Sequence, residues 1–187
     1  MSDPKPLTFL GICGSLRKAS FNRMALDVAV AQRPPGVEVI LADISHIPLY
    51  DEDVRAQGFP PSVETLRQQI KMADALVFAC PEYNYSMTGV LKNAIDWASR
   101  PPDQPFAGKA CAILGAAAGM AGSARAQGDL RRSMVFLDMH PINKPEVLIG
   151  QAQTKFEADG TLKDEVARNL IRDMMANLAA WARQLAK

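Results

Sequence analysis

The chain has 187 residues, of which 48% are hydrophobic and 22% charged, with a formal net charge of +1. That length suits one α/β domain with a sizeable core, expected to run over residues 1–187. The near-neutral balance, without a basic run, gives no support for a nucleic-acid face and argues against an acidic shuttle that docks through a negative surface.

The opening MSDPKPLTFLGIC carries an acidic residue before a short apolar run, so it does not read as a signal peptide. No stretch approaches the roughly 18 apolar residues of a membrane span. Cys13, Cys80 and Cys111 are widely spaced and lie in or at the end of apolar runs. They read as small core residues of a reducing compartment, and the expected location is cytoplasmic. His46 and His140 are the only histidines and belong to no ligand cluster, so no metal centre is expected.

Short β-like runs alternate with longer helical ones. Leu7–Cys13 is a compact apolar run, and Asn22 is placed to cap a helix to about Arg33 with Met24, Ala25, Val28 and Ala29 on one face. After the break Pro34–Gly36, Val37–Leu41 forms a second strand. Asp43–Pro61 reads as an irregular connection, followed by a helix from Ser62 to about Ala73 with Val63, Leu66, Ile70 and Ala73 facing a core. Ala75–Cys80 is a continuous apolar run suited to a strand buried on both faces.

A helix is expected from Gly89 to about Ser99, with Ile95 and Trp97 in the core or an interface. A fourth strand follows at Ala110–Ala116, then a helix over Ala124–Leu137 and a fifth strand at Glu146–Ile149. The last helix, about Lys163–Gln184, places Val166, Leu170, Met174, Leu178, Trp181 and Leu185 on one stripe. Five strands alternating with five helices imply a parallel sheet with helices on both faces. The order 2-1-3-4-5 is one of the two common solutions, and in either the ligand lies outside the carboxyl ends of the strands.

Three loops sit at that edge. The first, Gly14–Asn22, precedes a helix N-terminus, where unpaired amides meet an anion. Ser15, Ser20 and Asn22 add neutral donors, and Arg17 adds a charge able to fork onto phosphate oxygens. Neither GxxxxGK[ST] nor GxGxxG is present, so a terminal monophosphate fits better than a nucleotide triphosphate or a dinucleotide. Spacing alone equally allows a plain helix cap with Arg17 in solvent. The second loop, Pro81–Ser86, carries Glu82, Tyr83, Asn84 and Tyr85 directly after the most buried strand. Its amides and rings suit a flat heterocycle, or packing against the next helix or a neighbouring subunit. The third, Gly115–Ser123, is built of small residues that let backbone approach a ligand closely.

Together GSLRKASFN, PEYNYSMTGVLKNAIDWASRP and the small-residue run from Gly115 to Arg131 resemble the NADPH-dependent FMN reductase family, within it the bacterial quinone and chromate reductases. The resemblance covers nearly the whole chain. It implies a flavodoxin-like three-layer sandwich, with a five-stranded parallel sheet in the order 2-1-3-4-5. It also implies bound FMN, NADPH or NADH as hydride donor, and a homodimer or homotetramer whose subunits help form the pocket. Ser15, Arg17, Ser20, Phe21 and Asn22 match the phosphate-binding segment, while Pro81, Glu82, Tyr83, Asn84 and Tyr85 match the segment lining the isoalloxazine. Gly115, Ala117 and Gly119 match the third cofactor loop, although many relatives carry serine where Ala117 stands. Arg125 and Glu146 resemble positions used for polar contacts between subunits near the pocket.

The implied reaction passes hydride to FMN and electrons onward to small acceptors: quinones, chromate or other oxyanions, azo compounds or free flavin. No side chain is an obligatory acid or base; Tyr83, Asn84 and Tyr85 orient flavin and substrate. Lys18, Arg100 and Arg125 are basic residues available to a nicotinamide phosphate. Two rivals are a flavodoxin-like electron carrier without its own substrate and a phosphate-binding hydrolase. The hydrolase lacks the CxxxxxR spacing, because Arg17 follows Cys13 by four positions rather than six.

Overall fold

The computed structural model describes residues 5–186. Its first half runs β1 (Leu7–Cys13), α1 (Phe21–Ala31), β2 (Val37–Ala42), α2 (Glu52–Ala56), α3 (Pro61–Met72) and β3 (Ala75–Ala79). A hairpin, β4 (Glu82–Tyr83) and β5 (Ser86–Met87), leads into α4 (Gly89–Ala98). The second half is β6 (Ala110–Ala116), α5 (Ala124–Phe136), β7 (His140–Pro141), β8 (Val147–Ile149), α6 (Ala152–Lys155) and α7 (Glu165–Leu185).

The main sheet is parallel, in the order β2-β1-β3-β6, with β7 and β8 both pairing β6 at the far edge. Counting the two short pieces as one position gives 2-1-3-4-5. That fifth position is broken because Pro145 has no N–H to donate to a ladder. β7 pairs the start of β6 and β8 its end. Central β3 and β6 are buried along their whole length, as the apolar runs require.

One core lies between the sheet and α1 with α7, and the other beneath α3, α4 and α5. Val63, Leu66, Ile70 and Ala73 are buried as their spacing predicts. In α7 the expected stripe lies along one edge of the buried face: Met174 and Leu178 are buried and Leu170 and Trp181 pack against the core, but Val166 is 69% exposed. The buried face extends to Ala167, Ile171, Met175, Ala179 and Ala182, where the helix packs closely through small alanines. Asp43–Pro61 is not wholly irregular either, since Asp51 accepts from the amide of Asp53 and caps α2.

Cys80 and Cys111 are buried and Cys13 half-buried, all three as free thiols. Burial pushes the Cys80 and Cys111 thiols up to about 12, which leaves both protonated and chemically quiet at neutral pH. Among the described residues, no helix is long and apolar enough to cross a membrane.

Candidate cofactor cleft

At the carboxyl ends of β1, β3 and β6 the three loops converge on a cleft of about 240 Å3. Its lining draws Ser15, Arg17, Ser20, Phe21 and Asn22 from the first loop and Pro81, Glu82 and Tyr83 from the second. Ala116, Ala117 and Ala118 close the third side. Thus most of the predicted set is brought together, from segments about a hundred positions apart in sequence.

Ser20, not Asn22, caps α1. Its backbone is extended, and its hydroxyl accepts the amide of Arg23 at 3.3 Å. The amides of Phe21 and Asn22, which have no intrahelical partner, find no acceptor among the described residues and remain for an anion. The Asn22 side chain does different work. Its amide donates to the Ala116 carbonyl at 2.7 Å, and its oxygen accepts the Ala116 amide at 2.9 Å. One N–H and one lone pair of the carboxamide thus tie α1 to the end of β6, whose unpaired amide and carbonyl need both partners.

Gly14 is fixed by close approach. A Cβ there would stand 2.9 Å from Pro81 Cδ and 3.0 Å from Leu91 Cβ. Thr88, which the sequence reading overlooked, donates its hydroxyl to the Gly14 carbonyl at 2.6 Å and caps α4 through the Leu91 amide. A threonine directly before an apolar helical run is a cap signal, and it would have found this residue.

The second loop is a hairpin rather than an open connection. Asn84 and Tyr85 have φ of 52° and 68°, the positive pair that a two-residue type I′ turn requires. Asparagine tolerates this conformation, but tyrosine pays roughly 1–2 kcal/mol for it. Both residues stand exposed beyond the rim of the cleft, and only Tyr83 lines it.

Two carboxylates pin the hairpin to α5. Ser123 at the head of that helix is left-handed and makes no cap bond. Glu82 takes over, accepting the amides of Arg125 and Ala126 at 3.0 and 3.2 Å and the Arg125 guanidinium at 2.9 Å. Desolvation pushes the Glu82 carboxyl up, but these amides and the guanidinium outweigh it and hold it below the ordinary carboxylate range. Arg125 in turn lies 3.9 Å from the Tyr85 ring centroid. Asp129 accepts the Ser86 hydroxyl and pairs with Arg132, and these bonds lower its pKa in that order. Nothing in the sequence marked Asp129 for this task.

The third loop contributes unevenly. Gly115 is buried behind the cleft, where a Cβ would fall 1.8 Å from Ser123 Oγ, so its smallness serves packing. Ala117 reaches the cleft, but its amide donates to Ile149 and its carbonyl accepts from Ala152. Gly119 lines an adjoining cavity of about 430 Å3 together with Glu82, Ala117, Met120 and Arg125. Glu146 reaches neither cavity; it is exposed and pairs with Lys144 at 3.5 Å.

Residues 7–154 match the model of the NADPH-dependent FMN reductase family. The chain belongs to that family. Among its relatives, an NAD(P)H-dependent FMN reductase of Pseudomonas aeruginosa is 61% identical over 185 residues, covering 99% of each chain. An NAD(P)H:quinone oxidoreductase of Solanum tuberosum is 46% identical over 181 residues, covering 94% of this chain and 92% of that one. The solved flavoenzyme FerB of Paracoccus denitrificans, an NAD(P)H:(acceptor) oxidoreductase, superposes with a TM-score of 0.86 at 33% identity, covering 95% and 98% of the two chains. In this FMN reductase family member the cleft meets the demands of the cofactor: free helix amides and a cation for a monophosphate, beside the apolar side chains of Pro81, Ala116 and Ala118.

Proposed function

We propose that the chain is a single flavodoxin-like domain that binds FMN and oxidises NADPH or NADH at the expense of small acceptors, quinones foremost. The observation that carries this reading is the convergence of the free Phe21 and Asn22 amides at the head of α1 and Arg17 with Pro81–Tyr83 and Ala116–Ala118 in one cleft. Ser15, Arg17 and the amides of Phe21 and Asn22 would hold the phosphate. The ring would lie along Pro81–Tyr83 and Ala118. Bound FMN supplies the two-electron relay between nicotinamide and acceptor.

The residues around it position and exclude rather than exchange protons. Glu82 is ionised at neutral pH and engaged by three donors, so it has no proton to give. Protons for the acceptor come from solvent, through the open side of the cleft. The relatives named for NAD(P)H and quinone support this donor and this acceptor class. Chromate, azo compounds and free flavin are further acceptors that an open site admits. A second copy, in a dimer or tetramer, would cover the rim where Tyr83, Tyr85 and Met120 stand exposed, with Arg125 and Glu146 as its polar contacts. The three free thiols support a cytoplasmic location.

The test is the visible spectrum of the purified protein before and after anaerobic NADPH. Flavin bands that bleach are expected; a colourless protein that takes up no added FMN overturns the reading. Initial rates against NADPH and a quinone should give parallel lines, since one face serves both reactants, and intersecting lines would reject the shared site.

A further inference from the structure

A second and larger cleft, about 470 Å3, opens on the other side of the phosphate loop, between that loop and the end of β2. It shares Ser15 and Arg17 with the cofactor cleft and adds Lys18, Arg23 and Asp43. Three cations thus face a single carboxylate. Arg17 and Lys18 form no ion pair among the described residues. Arg23 pairs with Asp27 at 2.9 Å, but both side chains are about half exposed, and such a pair exchanges readily for a better partner.

Asp43 is oriented by its own turn. Its Oδ1 accepts the amide and hydroxyl of Ser45 at 2.8 and 2.6 Å, and these bonds hold its carboxyl below the ordinary range. Its Oδ2 is left for another donor. A simple inorganic anion would satisfy the bases but leave this carboxylate without a donor, whereas a phosphorylated ribose satisfies both signs: hydroxyls donate to the acid and phosphate oxygens accept from the bases. In dinucleotide sites an acid at the end of a second strand takes the free ribose 2′-hydroxyl, whereas a nearby arginine takes a 2′-phosphate. Here the bases outnumber the acid, which favours the phosphate and leaves Asp43 for the remaining ribose hydroxyl.

We propose that this cleft takes the 2′-phosphoadenosine end of NADPH, with Lys18 and Arg23 on the phosphate and Asp43 on a ribose hydroxyl. The assignment rests on the nicotinamide-oxidising function proposed above. The dinucleotide would cross the loop at Ser15 and Arg17, which border both clefts. The phosphate contacts would then set the preference between NADPH and NADH.

The test uses the FMN-loaded protein, so that the phosphate loop is already filled. Calorimetric titration compares 2′,5′-ADP with 5′-ADP, two ligands of similar charge that differ in where the second phosphate lies. The first should bind about tenfold tighter or more, and Lys18→Ala with Arg23→Gln should abolish the difference, as loss of charge-assisted contacts implies. The same variant should raise KM for NADPH about tenfold while leaving kcat, KM for NADH and FMN content unchanged. Lys18→Ala alone, on an exposed loop residue, gives a second reading should the double variant fold poorly. Equal binding of the two nucleotides, or a preference that survives both variants, overturns the site even if NADPH is oxidised. A preference without any nicotinamide oxidation would instead retain the site and sink the function.

Discussion

The two ends of the cofactor cleft are built on different principles. The phosphate end, Gly14–Asn22, is held by groups that do not titrate: the Ser20 cap, the Thr88 hydroxyl on Gly14, and the Asn22 carboxamide on both polar atoms of Ala116. The ring end, Glu82–Met87, is a two-residue hairpin with two non-glycine residues at positive φ, fastened to α5 by the carboxylates of Glu82 and Asp129. One end is fixed by packing and neutral hydrogen bonds; the other is a strained element kept in place by charge. The end proposed to grip the phosphate is fixed by neutral bonds, and the end proposed to face the acceptor is held by contacts that can be exchanged. Each variant below strikes one side of that contrast.

The largest effect is expected at the neutral end. Asn22→Ala leaves the buried amide and carbonyl of Ala116 without partners, at about 1–3 kcal/mol each. Urea unfolding should show a loss of roughly 2–4 kcal/mol, and the purified variant should retain little flavin. A loss under about 0.5 kcal/mol, within the range of an ordinary surface substitution, would mean that the tether is not what holds α1 to the sheet.

Acid should act on the other end. The folded carboxyls of Glu82 and Asp129 lie below their ordinary values, so their contribution is fully present above the unfolded pKa of about 4. It is lost as pH falls through the depressed folded values. Amide NMR resonances of Tyr83–Met87 should therefore collapse toward unstructured positions on acidification before those of Gly14–Phe21 do. Simultaneous loss of both segments would erase the distinction between a charged and a neutral end.

Much of this arrangement was legible in the sequence, and the parts that were not share a cause. Strand positions, the parallel sheet and the three converging loops follow from local patterns, because buried runs such as Ala75–Ala79 and helix heads such as Ser20–Phe21 declare themselves within a few residues. What escaped depends on partners distant in the chain. Asn22 reads as a cap until Ala116 is brought beside it. Glu82 reads as a ring contact until the head of α5, lacking its own cap at Ser123, is placed against it. Gly115 reads as a ligand contact until Ser123 fills the space its side chain would occupy. The full width of the α7 face escaped for a related reason: large residues such as Met174 and Leu178 mark a stripe, but close packing also turns Ala167, Ala179 and Ala182 inward.

A smaller effect isolates the charge on the helix cap. Glu82→Gln keeps an oxygen to accept the Ala126 and Arg125 amides but removes the attraction to the guanidinium and to the helix N-terminus. The expected cost is about 1 kcal/mol in urea unfolding at neutral pH. The difference from the parent should shrink as pH falls through the depressed folded pKa of Glu82, where the native carboxylate is itself protonated. A difference that persists in acid would assign the cost to packing instead of charge.

The smallest effect tests the strain at the turn. Tyr85 spends roughly 1–2 kcal/mol on its positive φ and recovers part of it through Arg125, whose guanidinium stacks on the ring for about 0.5–1 kcal/mol at an exposed site. Tyr85→Ala keeps the backbone cost and loses the stack, so it should lower stability by about 0.5–1 kcal/mol. Tyr85→Gly loses the same stack but relieves the backbone, and should fall within about 0.5 kcal/mol of the parent or above it. The glycine variant must therefore be the more stable of the two, although glycine is ordinarily the costlier residue in an ordered segment. If alanine proves more stable than glycine, the turn is not strained at Tyr85, and the ring end is then held no more tensely than the phosphate end.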